Sequence, residues 1–452
     1  MSPGACIRRR LAATMCAGKS GVGLLTYSLE NARSLLAIVV IIFIAWLLSE
    51  NKKRFPILMV LGALGLQAGL VLLLFAVPAT RGALGSIGYV ISGLADATSH
   101  GAQFVFGFLA GGPQPYAIAE GQQAPFIFGF RVLPVILVIC TLAAVLWHWG
   151  ILRVITELFG RVFSRVLGLS GQLAFAVSAN IFMGMIESAM VVRAYLSKLT
   201  RAELFTLMCV GLANVSGSTM VAYVLILGDV LPNAAGHVLV ASIISAPAGV
   251  LLAQVMIPEE PGRIKSQDYT SDLKYSGTMD AIARGVHDGT MVVVNVAAFL
   301  IAFVSLVWIV NNMLAFAPPI NGEPVTLQSL FGYAFAPVAY GIGIPWEDAQ
   351  TAGRILGTKL FLTEFVAFID LGQVPVGAIA DRSRMILTYA VCGFANVASI
   401  GILSGGFTAL MPERRDEILS LAWRALLPGF MATLMTASVV AALPAGVFGT
   451  AQ

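Results

Sequence analysis

The sequence predicts an all-α polytopic membrane protein with eight transmembrane helices and two re-entrant hairpins, arranged as inverted repeats. Of its 452 residues, 58% are hydrophobic and only 11% are charged, which is too little charge to cover the surface of a soluble protein. Several uncharged runs reach the roughly 20 residues that a helix needs to cross a hydrocarbon core. A motif that occurs in two of these runs indicates the internal repeat.

Eight apolar stretches have the length of a straight or tilted membrane helix. They are 34–49, 57–79, 127–150, 203–228, 232–256, 289–314, 385–408 and 423–447. Basic residues in the short loops place those loops in the cytoplasm, and this orientation leaves Arg382 and Arg384 outside as exceptions. The Gly-rich region 83–126 is expected to lie along or outside the interface. Residues 1–33 lack the apolar core of a signal peptide, and we expect a disordered tail or an over-extended start.

Two further apolar stretches, 168–197 and 340–372, carry a glutamate near the middle, Glu187 and Glu364. Non-helical backbone is tolerated at membrane depth only where it is buried in protein or lines a cavity, so these stretches are predicted to be re-entrant hairpins. A carboxylate facing lipid would cost about 2.5–3.5 kcal/mol on insertion scales. Each glutamate is therefore expected to face a cavity, the alternative being an interhelical hydrogen bond or a buried ion pair.

The repeated motif reads GLANVSGS at 211–218 and GFANVASI at 393–400. Each copy follows a hairpin and precedes an apolar span, and the basic residues give the two hairpins opposite orientations. Inverted repeats of this kind in secondary transporters place the substrate near the membrane midplane between broken helices. The alternative for Asn214 and Asn396 is an ordinary interhelical hydrogen bond.

Other function classes fit the sequence less well. The net charge of +4 is small and lies mostly in loops, which argues against a nucleic-acid partner. The five cysteines form no CxxC pair, which argues against a disulfide framework or metal site. A channel is expected to carry a continuous polar ring, and an enzyme a nucleophile with a base, whereas the polar midplane residues here form two half-sites.

Five ordered segments resemble the concentrative nucleoside transporter family, over roughly residues 34 to 447. They are ANIFMGMIES (179–188), GLANVSGSTMVAY (211–223), DGTMVVVNVAAFLIAF (288–303), GTKLFLTEFVAF (357–368) and CGFANVASIGI (392–402). The resemblance implies a multi-pass homotrimer in the cell inner (plasma) membrane that imports nucleosides down a sodium gradient. It implies no enzyme activity and no cofactor beyond the coupling ion.

The resemblance also divides the chain into a scaffold half and a moving transport half. The predicted divisions are a tail at 1–33, scaffold helices and interfacial segments at 34–166, a first transport repeat at 167–257, a cytoplasmic loop, scaffold helix and connector at 258–339, and a second transport repeat at 340–452.

Site residues follow from the resemblance, position by position. Glu364 and Asn396 are expected to hold the ribose hydroxyls, Ser399 to help at the sugar, Phe394 to pack on the base and Glu187 to line the pocket. This assignment agrees with ordinary chemistry, because a carboxylate can accept from two sugar hydroxyls and an amide can both donate and accept.

The same resemblance assigns a sodium site. The side chains of Asn180 and Ser218 and the carbonyls of Met183 and Thr219 are expected to bind the ion, and hard cations prefer such oxygen ligands. Proton-coupled relatives typically lack this asparagine, so Asn180 favours sodium, with proton coupling as the alternative.

The first hairpin departs from the family's pattern. The family usually reads Gly-Gln-Thr/Ser-Glu there, and this chain has Met185 and Ile186 in place of the two polar residues. Because a site that loses hydrogen-bonding groups loses the discrimination they provided, the base pocket is expected to be more apolar and more permissive. The base preference is left open.

Overall fold

The structure is a computed structural model that describes residues 29–116, 126–228, 230–259, 273–316, 318–319 and 324–448. These residues form helices and turns and contain no β-strand, which confirms the all-α class. Most of the predicted N-terminal tail lies outside the described residues.

The main helices, numbered in chain order, begin and end as follows. They are α1 (Leu29–Leu47), α2 (Ile57–Ala76), α3 (Pro78–Phe106), α4 (Leu133–His148), α5 (Ile151–Leu167), α6 (Gly171–Ala179), α7 (Arg201–Ala213), α8 (Gly217–Leu227), α9 (Ala234–Met256), α10 (Thr278–Leu314), α11 (Leu327–Gly341), α12 (Trp346–Phe361), α13 (Glu364–Gln373), α14 (Asp381–Val391), α15 (Val397–Leu410) and α16 (Arg415–Ala442).

Seven helical segments in the described part of the chain are long and apolar enough to cross a membrane. They are Leu29–Leu47, Ile57–Ala76, Phe128–His148, Arg201–Leu227, Ala234–Met256, Thr278–Leu314 and Pro412–Ala442. The remaining predicted span, 385–408, consists of two shorter helices, α14 and α15, on either side of a break. The helix α3, with 29 residues, is long enough to cross a membrane, but it is less apolar than these seven segments.

The helix α10 begins at Thr278, which is earlier than the predicted span at 289, and its extra turns serve packing. Three small residues spaced by four, Ala281, Gly285 and Gly289, are the buried residues of this 37-residue helix. A Cβ at Gly285 would lie 2.6 Å from the Cα of Thr141 on α4, and one at Gly289 would lie 2.8 Å from the Cα of Leu137. The glycines therefore let α4 and α10 approach closely, as in other small-residue helix pairs.

The core lies among the two broken helices and the long helices α9 and α16, which are buried along most of their length. The helix α1 packs on α16, and α2 packs on α9, so both early helices contact helices of the predicted transport repeats. By contrast, α10 packs mainly on α4 and exposes most of its apolar side chains.

Each predicted hairpin is a helix followed by a sharp break. In the first, α6 ends at Ala179, irregular backbone follows through Ile186, and two four-residue helices, Glu187–Met190 and Arg193–Leu196, complete the return. In the second, α12 and α13 are separated only by Leu362 and Thr363. The Thr363 side chain accepts from the backbone N–H of Val366 and so caps the N-terminus of α13.

Packing explains the two basic residues, Arg382 and Arg384, that are exceptions to the expected cytoplasmic location of basic residues. The Arg384 guanidinium is buried and donates to the carbonyls of Leu371, Val374 and Pro375 at the C-terminal end of α13. Arg382 donates to the carbonyl of Ala441 at 2.6 Å. Both side chains satisfy carbonyls at the ends of helices, where cations are favoured, so their positions reflect packing.

Candidate functional site

The two copies of the repeated motif meet at their breaks. The helix α7 ends before Asn214 and α8 begins at Gly217, while α14 ends at Val391 and α15 begins at Val397. The backbone N–H of Phe394 donates to the carbonyl of Asn214 at 3.0 Å. A Cβ at Gly393 would lie 2.5 Å from the carbonyl oxygen of Ala213, so the glycine permits this contact. The sequence repeat is therefore also a contact in space.

The carboxylate of Glu364 is held by one donor on each oxygen. Tyr223 of α8 donates to Oε1 at 2.9 Å, and the amide of Asn396 donates to Oε2 at 2.6 Å. Glu364 is 6% exposed, and Asn396 is 1% exposed. Since an ionised carboxylate offers about four lone-pair positions, this group retains capacity to accept hydroxyl donors from a ligand.

Asn396 uses both ends of its amide. While the nitrogen donates to Glu364, Oδ1 accepts from the backbone N–H of Ser399 at 2.8 Å and caps the N-terminus of α15. The Ser399 side chain is buried in the same turn, and Phe394 is half-buried in the break. The structure thus brings four of the predicted substrate residues, Glu364, Phe394, Asn396 and Ser399, to one junction between the second hairpin and the second broken helix.

The other three predicted substrate residues lie at the tip of the first hairpin. Met185 packs on Gly211 of α7, and Ile186 packs on Gly406 of α15. Glu187 begins the following short helix and is half-buried. The tip therefore contacts both broken helices, through Met185 on α7 and Ile186 on α15.

The predicted ion residues lie where the first hairpin meets the first broken helix. The N–H of Gly217 donates to the carbonyl of Phe182 at 3.2 Å, which joins the break of the hairpin to the N-terminus of α8. The amide nitrogen of Asn180 donates to Ser188 Oγ at 2.8 Å, so its oxygen is the atom that can face a cation. Ser218 lies in the first turn of α8.

The two predicted carbonyl ligands have different surroundings. Met183 lies in irregular backbone, whereas Thr219 lies within α8, where carbonyls accept from the following helical turn. Ser216, which the sequence argument did not single out, is the N-cap of α8, and its hydroxyl is 2.9 Å from Ser218 Oγ and 3.0 Å from Thr219 Oγ1. A serine directly before the first helical residue is a signal that could have identified it.

Asn214 differs from its twin Asn396. Its side chain is fully buried, and neither Oδ1 nor Nδ2 has a hydrogen-bond partner among the described residues. The interhelical hydrogen bond considered for this residue is therefore not observed. A buried amide without a partner is costly, and this one lies in the same break of the first broken helix, four residues before Ser218.

Three family models match the chain. The model for the N-terminus of Na+ dependent nucleoside transporters matches residues 36–109, one described as nucleoside recognition matches 129–230, and the model for the C-terminus of Na+ dependent nucleoside transporters matches 237–441. The second includes the first hairpin and the first break, and the third includes the second hairpin and the second break.

Relatives and solved structures agree with these matches. An uncharacterized transporter of Haemophilus influenzae is 37% identical over 413 residues, covering 90% of this chain and 96% of the relative. The nucleoside permease NupC of Helicobacter pylori is 32% identical, with 90% and 96% coverage. The structure of CNTnw in an inward-facing substrate-bound state has a TM-score of 0.85 and 34% identity, covering 94% of this chain and all of that one. The chain therefore belongs to the concentrative nucleoside transporter family, whose members are nucleoside transporters and not enzymes.

Proposed function

We propose that this protein is a secondary active symporter that imports nucleosides across the cell inner membrane, driven by the sodium gradient. The observation that carries the proposal is the buried Glu364–Asn396 pair, which joins the second hairpin to the second broken helix. An intramembrane carboxylate with a fixed donor on each oxygen is a typical polar binding site in a transporter.

The pair is suited to the vicinal hydroxyls of ribose. Glu364 accepts from both hydroxyls, and Asn396, held by its bond to Ser399, presents a donor and an acceptor beside it. Hydrogen bonds to a charged acceptor are roughly twice as strong as neutral ones. We assign the sugar to Glu364, Asn396 and Ser399, and the face of the base to Phe394.

The tip of the first hairpin completes the pocket on the side of the base. Met185 and Ile186 supply apolar, adaptable contacts where the family usually has two polar side chains. Glu187 lines the pocket with a carboxylate. We propose that ribose recognition is retained while discrimination between bases is relaxed.

Sodium is proposed to bind where the first hairpin meets the first break. Asn180 and Ser218 supply side-chain oxygens, and Met183 and Thr219 supply carbonyls. Because the amide of Asn214 is buried without a partner, its oxygen is proposed as a further ligand. Oxygen donors of this kind suit a hard monovalent cation.

Backbone contacts connect the proposed ion site to the proposed sugar site. The Gly217–Phe182 bond fixes the first hairpin on α8, and the Phe394–Asn214 bond fixes the second break on the first. An ion that orders the first break would therefore also order Phe394 and Asn396, so that nucleoside binds more tightly when sodium is present. This is the coupling that a symporter requires.

The proposed topology has eight membrane crossings and two hairpins that enter from opposite faces, as inverted repeats. The division into scaffold and transport parts is likewise proposed. We also propose a homotrimer, supported by the long α10 helix, whose apolar residues, including Ile301, Val304 and Trp308, are exposed. This face suits contact with lipid or with further copies of the chain.

Two alternatives are distinguished by experiment. Proton coupling would use the same sugar site with a different ion, and a polar-lined channel would conduct without coupling. Uptake of labelled nucleoside into proteoliposomes should saturate and should stop when a sodium ionophore collapses the gradient. Uptake that responds only to a protonophore supports proton coupling, and non-saturating flux that responds to neither supports a channel.

A further inference from the structure

A buried lysine lies next to the proposed sugar site and has no role in the function described so far. Lys359 is in the last turn of α12, five residues before Glu364, and is completely inaccessible to solvent. Its Nζ donates to the carbonyl of Ala390 at 2.8 Å and to Oγ1 of Thr433, and it lies 5.1 Å from the centre of the Phe430 ring.

The surroundings of Nζ suit an ammonium group. The Thr433 hydroxyl donates its proton to the carbonyl of Phe430 at 2.8 Å, so its oxygen can only accept from Lys359. The Ala390 carbonyl also accepts, and the Phe430 ring presents π-electron density to a cation. No carboxylate of the described residues lies within the 4.0 Å of an ion pair with Nζ. Nζ thus has two oxygen acceptors and an aromatic ring within cation–π distance.

The location of Ala390 gives this contact its importance. Ala390 lies in the last turn of α14, whose terminal carbonyls have no partners within the helix. A lysine there satisfies a free carbonyl and interacts favourably with the negative end of the helix dipole. The next residues along the chain form the break that carries Phe394 and Asn396.

Thr433 extends the contact to the break itself. A Cβ at Gly393 would lie only 2.5 Å from Thr433 Cγ2, so α16 packs directly on the break. Lys359 therefore joins the second hairpin to the end of α14 and to the part of α16 that supports Gly393. Together with the Glu364–Asn396 bond, this attaches the hairpin to the broken helix at two points.

We propose that Lys359 is a positioning residue that holds the break at 392–396 against the second hairpin, so that Asn396 and Glu364 keep the spacing that recognises a ribose diol. This inference rests on the proposed function. Lys359 does not touch the sugar in this account and acts through the position of Asn396.

The test compares a nucleoside with its dideoxy analogue, which lacks the vicinal diol. Purified protein in proteoliposomes is assayed for inhibition of labelled nucleoside uptake by each compound. Lys359→Met should raise the inhibition constant of the nucleoside about tenfold, as expected for the loss of a hydrogen bond to a charged group, and leave that of the dideoxy analogue unchanged. Lys359→Arg should retain part of the discrimination.

Lys274→Met is the matched control, because Lys274 is exposed, and it should behave as wild type. If Lys359→Met does not reach the membrane, Thr433→Val and Thr433→Ser replace it, and only the valine should lose discrimination. Equal shifts for both compounds, or a lower maximal rate alone, would show a merely structural lysine and overturn the inference. Absence of nucleoside uptake by the wild type would instead reject the proposed function.

Discussion

The substitution Glu364→Gln tests the proposed sugar site most sharply, because it removes a charge and preserves the shape. Glutamine can turn its oxygen toward the Asn396 amide and its nitrogen toward the hydroxyl of Tyr223, which can also accept. Both observed contacts of Glu364 therefore have neutral replacements. The fold should persist, and the change should appear in recognition of the ligand.

The size of the expected effect on kcat/KM follows from the number of oxygen atoms with which residue 364 can accept hydrogen bonds from the ribose. The carboxylate of Glu364 can accept both ribose hydroxyls, whereas a glutamine has one oxygen, already engaged by Asn396. A hydrogen bond to a charged group contributes about 1.5–3 kcal/mol and a neutral one about 1 kcal/mol. Losing one charge-assisted bond and weakening the other removes about 2–5 kcal/mol, which lowers kcat/KM for a ribonucleoside by about 30-fold to several thousandfold.

The assay is the initial rate of labelled nucleoside uptake into proteoliposomes, with the dideoxy analogue as competitor. Asp370→Asn is a matched control, since it makes the same chemical change on α13 in a half-buried residue that has no assigned contact with the sugar. Wild-type uptake by Glu364→Gln, or an equal loss for nucleoside and dideoxy analogue, would remove Glu364 from the sugar site.

Three further variants probe the ion, the base and the loops. Asn180→Ala should raise the sodium concentration that gives half-maximal uptake by roughly tenfold, and it should leave the order of nucleoside preference intact. An unchanged sodium dependence would place the coupling at other residues or on protons. Met185→Gln should restore discrimination between bases in competition by uridine, cytidine, adenosine, inosine and guanosine; a pyrimidine profile present in wild type and unaltered by the change would contradict the relaxed pocket. Burial alone would raise the pKa of Glu50, but the hydrogen bonds and charges of Arg201 and Arg424 together hold it below its usual value. That stabilisation is present above the ordinary glutamate pKa of 4.5 and is lost as pH falls through the lowered pKa. Glu50→Gln should therefore reduce the free energy of unfolding at pH 7 by about 1 kcal/mol or less, and should flatten its decline as pH falls from 7 to below 4.5. Thermal unfolding in detergent across that range measures this, and parallel curves for variant and wild type would refute it.

Hydropathy predicted most of the helices because the bilayer imposes a length and a composition that a single sequence displays directly. The breaks were also predictable, since Gly and Asn within an apolar run are unfavourable for a lipid-facing helix. The early start of α10 was not, because Asp280 and Arg284, which pair at 3.0 Å, look like a loop in a hydropathy window. Only tertiary packing shows that the small residues beyond them contact α4.

The candidate site was predictable from the sequence where a residue's chemistry is itself unusual in a membrane, as for Glu364. Its second donor, Tyr223, lies 141 positions away along the chain, and no local pattern connects the two. Lys359 was missed for a similar reason, since its partners lie on α14 and α16. In the sequence, a lysine this close to Glu364 looks like an ordinary polar residue at the tip of a hairpin. Asn214 and Asn396 share a motif, yet only the structure shows that the side chain of Asn396 is hydrogen-bonded, whereas that of Asn214 has no partner among the described residues.

Reciprocal coupling is the central claim, and it can be measured without any variant. If nucleoside and sodium move together, an imposed gradient of nucleoside across the proteoliposome membrane must drive radiolabelled sodium, initially equal on both sides, in the direction of the nucleoside. The account predicts transient accumulation of sodium inside when nucleoside is added outside, and none with the dideoxy analogue. Nucleoside entry without sodium accumulation would contradict sodium symport.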